Sequence, residues 1–353
     1  MAMTRPVVSG GVKVAIVSSK DVPCLLNQRV CRFNILYNLD KKFVYSLLFT
    51  NRFISYIKEL SIGSQQLNLS CSDIEDYIIP LPPLPEQHRI ATVLSTLDEC
   101  IEKTEALIAK LKQVKAGLMQ DLLTREIDTE GRIRDESTHE FKDTEIGRVP
   151  VEWDVQSWNS ICEQISVGVV IKPASYYVEN CIPALRSLNI DEDKFNLNTL
   201  VYFSEKDNSE ALTKSKLREN DLVVVRTGSP GIAAVITKKM EGINCIDLLF
   251  LRVTKEITNP YFLSKYFNST MGKIELAKHL TGLAQKHLNV SAIQRTNISI
   301  PSLIEQNRIV YHLTSLDDRI SYEEKYLNKL LAQQKGFMND LLTGNVRTRE
   351  HLS

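Results

Sequence analysis

The sequence predicts a protein of the α/β (α+β) class, built from two copies of one unit that each consist of a globular module followed by a long helix. Three observations predict this class. Glu86-Gln87-His88-Arg89-Ile90 recurs as Glu305-Gln306-Asn307-Arg308-Ile309, 219 residues later when counted from Glu86 to Glu305. Apolar residues follow both copies at alternating steps of four and three, which is a heptad pattern. Short β-rich runs, such as Leu222-Val223-Val224-Val225, are punctuated by Gly and Pro and predict a curved sheet.

The repeat extends well beyond the Glu-Gln motif. At the same offset, and without a gap, Asp121-Leu122-Leu123-Thr124 matches Asp340-Leu341-Leu342-Thr343. Upstream, Arg5…Gly10 matches Arg226…Gly231. The roughly 80 residues that precede Arg226 in the second copy have no counterpart before Arg5, so we expect the first module to be incomplete.

The two heptad stripes predict that the long helices pack on each other as an antiparallel coiled coil. Their polar interruptions occur at the same register, Thr104 and Lys115 in one copy and Glu323 and Gln334 in the other. The alternative is two amphipathic helices that lie on separate globular cores. The apolar positions expected in the coiled coil and its docking surface are Ile90, Leu94, Leu97, Ile101, Leu111, Leu313, Leu316, Ile320, Leu330 and Phe337.

The remaining boundaries follow from composition. We expect a partial first module at 1–83, a first helix at 84–125 and a polar linker at 126–145. A second, complete module is expected at 146–300, a second helix at 301–345 and a tail at 346–353.

Composition excludes several classes of protein. The chain is 43% hydrophobic and 24% charged, which excludes a disordered or collagen-like protein. Since no apolar run approaches the length of a membrane span and no signal-peptide pattern is present, we expect a cytoplasmic protein. The seven cysteines are scattered without a C-x-x-C pair, and the six histidines do not cluster with carboxylates, so we expect no metal site.

One segment of the sequence is similar to a catalytic motif. Asn259-Pro260-Tyr261-Phe262 is similar to the loop by which amino-methyltransferases hold a flipped base, yet no glycine-rich cofactor loop accompanies it. Asn259 as a helix N-cap, with Pro260 at the first helical position, explains the segment fully. We therefore predict no catalytic residues, and a free-standing methyltransferase is the least favoured function.

The polar loops of the second module are the candidate DNA contacts. Arg226, Thr227 and Ser229 lie in a tight turn directly after a predicted strand, where an arginine can hold a phosphate or read a guanine edge. Gln285, Lys286 and His287 form a second loop, in which glutamine can read adenine. Weaker candidates are Lys172, Tyr176, Arg186 and, in the first copy, Arg5. The net charge is zero, so a DNA-binding surface has to be local.

These motifs together resemble the DNA specificity subunit of type I restriction–modification systems. The resemblance rests on Ile79-Pro80-Leu81-Pro82-Pro83-Leu84-Pro85-Glu86-Gln87, on the helix that ends Met119-Gln120-Asp121-Leu122-Leu123-Thr124, and on the Ile146-to-Trp153 segment, after which the pattern repeats. It covers most of the chain. It departs from the family pattern in the first module, whose opening Ile-Gly-x-x-Pro-x-x-Trp segment has no counterpart here.

The resemblance implies a non-catalytic subunit with two recognition modules, each of which reads half of a bipartite target. The helices would set the gap between the half-sites and dock the modification subunits. S-adenosylmethionine, ATP and Mg²⁺ would belong to the modification and restriction subunits, and this chain would bind no cofactor. The alternative is a pseudosubunit that has lost DNA binding and acts only as a scaffold or a competitor in assembly. Self-association that completes the first module is a further expectation.

Overall fold

A computed structural model describes residues 1–8, 11–60, 68–125, 132–135, 137, 139–279 and 287–348. The chain divides into two compact units. The first unit contains Met1–Lys110 and Ile320–Ser353, and the second contains Leu111–Arg319. Each long helix contributes one part to each unit. None of the described helices combines the length and the apolar character needed to cross a membrane.

The first unit has few strands and is mainly helical. It contains β1 (Val7–Val8), β2 (Gly11–Val12), a 3-10 turn (Ser19–Asp21), α1 (Lys41–Leu47), α2 (Asn51–Glu59), α3 (Cys71–Glu75) and the start of α4 (Leu84–Thr124). Met1–Met3 also pairs with Arg29–Cys31, because the amide of Met3 donates to the carbonyl of Arg29 and the amide of Cys31 to that of Met1. Phe53 and Ile57 of α2 are fully buried against Met1, Met3 and Val12.

The second unit is the α+β module that the sequence predicts. Its strands are β3 (Phe141–Thr144), β4 (Gly147–Pro150), β5 (Asp154–Ser157), β6 (Cys162–Val167), β7 (Tyr177–Val178), β8 (Ile182–Leu185), β9 (Ile190–Asp191), β10 (Lys194–Phe195), β11 (Val201–Phe203), β12 (Leu222–Val225), β13 (Ala233–Val235), β14 (Asn244–Cys245), β15 (Leu248–Val253) and β16 (Asn297–Ile300). Its helices are α5 (Trp158–Ile161), α6 (Glu205–Ser209), α7 (Pro260–Asn268), α8 (Thr270–Ala277), α9 (Val290–Gln294) and the start of α10 (Leu303–Leu342), with 3-10 turns at Pro173–Tyr176, Ser187–Asn189, Thr213–Ser215 and Lys238–Met240. Strand β3 begins inside the segment predicted as a linker.

Two four-stranded sheets organise this unit. One sheet has the order β13-β12-β15-β6, with antiparallel neighbours throughout, and the other has the order β14-β8-β11-β7. On the first sheet, Leu222, Val224 and Leu249 face a core that includes Trp153 and Trp158. The alternate residues Val223 and Phe250 face a second core with Leu185 and Leu217. The sheet is therefore buried on both faces, which explains its continuous apolar sequence.

Both long helices form and pack against each other. In the first unit, Ile90 and Leu94 near the start of α4 pack with Leu341 and Leu342 at the end of α10. In the second unit, Leu122 near the end of α4 packs with Ile309 and Leu313 at the start of α10. The helices are therefore antiparallel, as the heptad stripes predict.

Most residues of the predicted seam are buried or half-buried. Ile101, Ile320 and Leu330 are buried, and Leu97, Leu111 and Leu316 are half-buried. Phe337 is 41% exposed, and its neighbour Met338 packs into the core instead. The heptad count places Phe337 inward, but an α-helix drifts by about 20° per heptad against a strict seven-residue repeat, which favours the next residue at this end of the stripe.

The polar interruptions of the heptads form matched contacts in the two units. In the first unit, Gln334 Nε2 donates to Asp98 Oδ1 at 2.5 Å. In the second unit, Lys115 Nζ lies 2.5 Å from Asp317 Oδ1. The repeat pairs Asp98 with Asp317 and Gln334 with Lys115, so both units carry the same cross-helix contact with a different donor.

The repeated glutamate at the start of each long helix is buried beside an arginine that follows the other long helix. Arg347 Nη2 lies 2.6 Å from Glu86 Oε2, and Glu86 is 4% exposed. In the second unit, Arg134 Nη2 lies 2.8 Å from Glu305 Oε1. The hydrogen bonds from Arg347 lower the pKa of Glu86 against the effect of burial.

This ion pair predicts a pH-dependent loss of stability in Arg347→Gln. Because the folded-state pKa of Glu86 is lowered, its contribution is present above the ordinary glutamate pKa and is lost as the pH falls through the lowered value. Without Arg347 the acid-unfolding midpoint should move to higher pH, which circular dichroism during acid titration measures. In a Glu86→Gln background the same substitution should leave the midpoint unchanged, and an equal shift there would contradict this assignment.

Candidate nucleic-acid interface

Strand register brings several of the predicted DNA-contact segments to one end of the β13-β12-β15-β6 sheet. Val225, the last residue of β12, lies opposite Leu248, the first residue of β15. Val167, the last residue of β6, lies opposite Leu249. The chains that leave β12 and β6 therefore emerge beside Asp247, which directly precedes β15. We call this region the sheet end and define it by the residues that follow β6, β8 and β12 together with Asp247.

The second sheet positions Arg186, which follows β8, at the sheet end as well. Strands β14 and β8 are parallel, with Cys245 beside Leu185. The amide of Ile246 donates to the carbonyl of Leu185 at 2.8 Å. Arg186 therefore follows β8 at the level of Ile246, one residue before Asp247.

Arg226 and Thr227 both contact Asp247, and His287 contacts Thr227. Arg226 Nη1 donates to Asp247 Oδ1 at 2.7 Å, and Thr227 Oγ1 donates to Asp247 Oδ2 at 3.2 Å. Thr227 Oγ1 also lies 3.1 Å from His287 Nδ1. The carboxylate thus orients the guanidinium and the hydroxyl side by side, which reduces the freedom that either would lose on binding a ligand.

The turn after Arg226 exposes backbone as well as side chains. Gly228 has φ +90° and nothing within 4 Å of the position that a Cβ would occupy. Gly231 has φ +95°, and its amide closes the turn by donating to the carbonyl of Val225 at 3.0 Å. Both glycines adopt a backbone conformation that L side chains rarely take. Ser229 is exposed at the tip of this turn.

The weaker candidate DNA contacts of the second unit differ in their exposure and in the contacts that they already make. Lys172 is exposed and has φ +44°, which turns the chain after β6. Arg186 Nη2 donates to the carbonyl of Thr199 at 2.7 Å, so this arginine is already engaged. Tyr176 packs against Phe203, with 6.2 Å between the ring centroids, and its ring belongs to the core more than to the surface.

The other predicted residues are placed elsewhere. Arg5 is exposed in the first unit with φ +47°. Its repeat partner Arg226 has an aspartate beside it, whereas the strand pairing of the first unit places Asn27 at the position of Asp247. Gln285 and Lys286 lie outside the described residues. Asn259 caps α7, since its Oδ1 accepts from the amide of Tyr261 at 2.8 Å, as the sequence analysis predicts.

Sequence reasoning missed Asp247, which organises the sheet end. A signal was present, because Asp247 is the one charged residue between the strand at Asn244-Cys245 and the apolar run that begins at Leu248. Its φ of +49° is uncommon for a residue other than glycine and is consistent with a position under functional constraint.

The strand that carries Arg226 is anchored at its opposite end by a buried ion pair. Arg252 Nε donates to Asp221 Oδ1 at 3.1 Å, and Arg252 Nη1 donates to Gln164 Oε1 at 2.6 Å. Asp221 directly precedes β12 and is 2% exposed. Burial raises the pKa of Asp221, while Arg218 and Arg252 oppose the rise. The pair joins β12, β15 and β6, and so fixes the strands that lead to the sheet end.

The hydrogen bonds of Gln306, which the sequence does not predict, hold the second unit's loops to the start of α10. Gln306 is fully buried, and its Oε1 accepts from the amide of Asn259 at 2.7 Å. Its Nε2 donates to the carbonyls of Ile257 and Pro301, both at 2.9 Å. In the first unit, Gln87 makes the same three bonds, to Asp40, Asn38 and Pro82. The repeated glutamine is therefore a structural clamp at the start of each long helix.

The hydrogen bonds of Gln306 predict that alanine substitutions at two glutamines of α10 differ greatly in their effect on the stability of the protein. Gln306→Ala leaves one amide and two carbonyls without a partner and should destabilise the protein by about 2–4 kcal/mol. Gln333→Ala, at an exposed position of the same helix, should change stability by less than about 0.5 kcal/mol. Denaturant unfolding measures both. Equal effects would show that the buried hydrogen bonds carry no stability.

The geometry suits recognition of an anion or of a base edge. Arg226 offers a guanidinium that is oriented on one side by Asp247 and 27% exposed on the other. An oriented guanidinium binds a phosphate or the O6 and N7 atoms of guanine. The described residues contain no group of three or more His, Cys, Asp or Glu side chains that can hold a metal ion.

The chain is similar to known proteins of one family. The family model for the type I restriction modification DNA specificity domain matches residues 7–113 and 150–332. The MjaVIII specificity subunit of Methanocaldococcus jannaschii is 29% identical over 303 residues, which cover 84% of this chain and 68% of that protein. The EcoBI specificity subunit of Escherichia coli is 27% identical over 332 residues, which cover 91% and 68% respectively.

Solved structures share the fold. A chain from a study of complex assembly and conformational transition of the type I R-M system matches with a TM-score of 0.55 and 17% identity, over 88% of this chain and 72% of that one. The S subunit from M. genitalium matches with a TM-score of 0.54 and 16% identity, over 86% and 73%. With more than half of its residues matched by the family model, the chain belongs to the family of type I restriction–modification DNA specificity domains.

Proposed function

We propose that this chain is the sequence-specific DNA recognition subunit of a type I restriction–modification complex, and that its second unit reads one half of a bipartite target through the sheet end. The observation that carries this proposal is the pair of hydrogen bonds from Arg226 and Thr227 to Asp247, with His287 beside the Thr227 hydroxyl. Family membership supports the class of function, and the geometry supports this location for the contacts.

In this proposal Arg226 and the exposed Gly228–Ser229 turn contact DNA directly. The guanidinium reads a guanine edge or a phosphate, and the open backbone at Gly228 permits a close approach of the sugar-phosphate chain. Lys172, on the chain that leaves β6, adds a phosphate contact from the neighbouring segment. Because the chain has no net charge, these local cations supply the electrostatic part of binding.

The long helices dock the modification subunits in this proposal. In the first unit, Tyr322 and Tyr326 of α10 are 65% and 43% exposed. Exposed aromatic side chains on a rigid helix are typical of protein–protein interfaces. The catalytic groups, S-adenosylmethionine, ATP and Mg²⁺ then belong to the modification and restriction subunits, and this chain supplies no catalytic residue.

Reconstitution with the modification subunits of the same system tests the function. The complex should methylate a defined set of bipartite sites in genomic DNA, which methylation-sensitive sequencing identifies. Its affinity for a duplex that contains such a site should fall steeply as salt rises. A complex that assembles but binds target and random duplexes equally at every salt concentration would contradict recognition and would favour a scaffold.

A further inference from the structure

Two of the loops that form the sheet end carry exposed apolar side chains as well as cations. Val170 and Ile171, which follow β6, are 45% and 77% exposed, and Leu188, which follows β8, is 52% exposed. Single exposed apolar residues are common on protein surfaces, but three of them on neighbouring loops indicate a contact surface. The direct contacts of the proposed function leave these side chains without a role.

Ile171 lies on a loop that hydrogen bonds hold on both sides. Before it, the amide of Asp247 donates to the carbonyl of Val169 at 3.2 Å. After it, the amide and the hydroxyl of Ser175 donate to the carbonyl of Lys172 at 3.0 and 2.8 Å. The loop is therefore formed in advance two residues beyond the pairing with Asp247, and a side chain held in this way loses little conformational entropy on binding.

The charges around Ile171 match DNA and favour the major groove. Lys172 directly follows it and is exposed, and Arg226 and Asp247 are 27% and 43% exposed at the same sheet end. Phosphates repel a carboxylate, so Asp247 is tolerated only beside donors on the base edges. In the minor groove A·T pairs present only acceptors, whereas in the major groove the amino groups of cytosine and adenine both donate. The cations can then face phosphates while Asp247 faces the bases.

We propose that Ile171, the most exposed of the three apolar side chains, reads the 5-methyl group of a thymine in the major groove. This inference rests on the proposed function, and it requires that the half-site read by the second unit contain an A·T base pair. The thymine methyl is the apolar group that base edges present in that groove, and aliphatic side chains contact it. Cytosine at the same position would lose hydrogen bonds from its amino group to water, so the contact selects thymine.

The same side chain has one other use on DNA. Apolar side chains act as wedges between base steps in proteins that bind the minor groove. The exposed carboxylate of Asp247 opposes that placement, because the minor groove offers it few donors. A wedge also gains its energy from stacking and not from a methyl group, so the two uses respond differently when the methyl alone is removed.

Single thymine-to-uracil substitutions in the target duplex test the proposal, since uracil lacks only the 5-methyl group. Each thymine of the methylated site is replaced in turn, and fluorescence anisotropy measures binding of the reconstituted complex. At one thymine the substitution should weaken binding by about fourfold, the effect of burying one methyl group. In a complex that carries Ile171→Ala, the same uracil should change the affinity by less than about twofold, because the contact with the methyl group is already lost.

Ile257→Ala is the matched control. Ile257 is 38% exposed and follows β15 at the opposite end of the sheet, so its truncation should leave the fourfold uracil effect unchanged. Because Ile171 is an exposed loop residue, its own truncation should leave the fold intact, which circular dichroism checks.

The remaining outcomes overturn the proposal. If Ile171→Ala weakens binding equally for thymine and uracil duplexes at every position, the side chain is a wedge or a packing contact. A complex that discriminates its target but shows no thymine coupled to Ile171, or whose half-sites contain no A·T pair, contradicts the methyl contact alone. A wild-type complex that binds target and random duplexes equally contradicts the proposed function and the methyl contact together.

Discussion

Arg226→Ala should weaken binding of the assembled complex to its target duplex by about 1–3 kcal/mol, or roughly fivefold to 150-fold. The substitution removes the guanidinium that Asp247 holds at 2.7 Å at the sheet end. If Arg226 reads a guanine, discrimination at one base pair should relax. If it holds a phosphate, affinity should fall for all sequences and the salt slope should decrease by about one. Fluorescence anisotropy with matched and singly mismatched duplexes separates the two cases.

Lys255→Ala is the matched control for this experiment. Lys255 is an exposed cation that follows β15, at the opposite end of the sheet from Arg226. The two substitutions remove the same charge, so a general electrostatic effect would weaken binding equally. Equal losses would therefore contradict the assignment of the interface to the sheet end.

Lys265→Met should destabilise the second unit by about 3–5 kcal/mol, because it leaves the carboxylate of Asp193 without its cation and removes one of the two cations beside Asp317. Lys265 is 5% exposed on α7 and lies 3.0 Å from Asp193 and 2.6 Å from Asp317. Asp317 also pairs with Lys115, so the network joins the β9-β10 hairpin, α7 and both long helices. Burial lowers the pKa of Lys265, but the two aspartates outweigh this effect and raise it overall. Denaturant unfolding measures the loss.

The exposed ion pair between Lys273 and Glu192 is the control for the buried contacts of Lys265. Lys273 of α8 pairs with Glu192 at 2.5 Å, and the two side chains are 42% and 45% exposed. Lys273→Met should change stability by less than about 1 kcal/mol, because water screens an exposed pair. A loss as large as that of Lys265→Met would show that burial does not set the strength of these contacts. The double variant Lys265→Met/Asp193→Asn should recover part of the loss, since it removes the carboxylate that Lys265→Met leaves without a cation.

The features that sequence alone predicts are those set by local pattern. The heptad spacing predicts two long helices and their antiparallel packing, because side chains three and four residues apart share a helix face. The N-cap of Asn259 follows from its position before Pro260. Arg226 and Thr227 are found because a polar turn directly follows an apolar strand.

The features that sequence does not predict depend on contacts between distant segments. Asp247 reaches Arg226 only because β12 and β15 pair in one register. Lys265 sits in a helical segment where nothing local indicates burial between Asp193 and Asp317. The glutamine of the repeated Glu-Gln motif is visible in the sequence, but its partners lie 47 to 49 residues away for the Gln87 bonds to Asp40 and Asn38. Register and tertiary packing, not spacing, determine all three.

The most direct test of the central claim is position-specific crosslinking at the sheet end. Cysteine introduced at Ser229, in the exposed turn after Arg226, should crosslink to one half of the bipartite target when the reconstituted complex binds a duplex that carries thiol-reactive phosphates. The crosslinked nucleotide should be the same in every target site. Cysteine introduced at Lys255 should give no crosslink. Efficient crosslinking from position 255 with none from position 229 would place the DNA at the other end of the sheet and contradict this account.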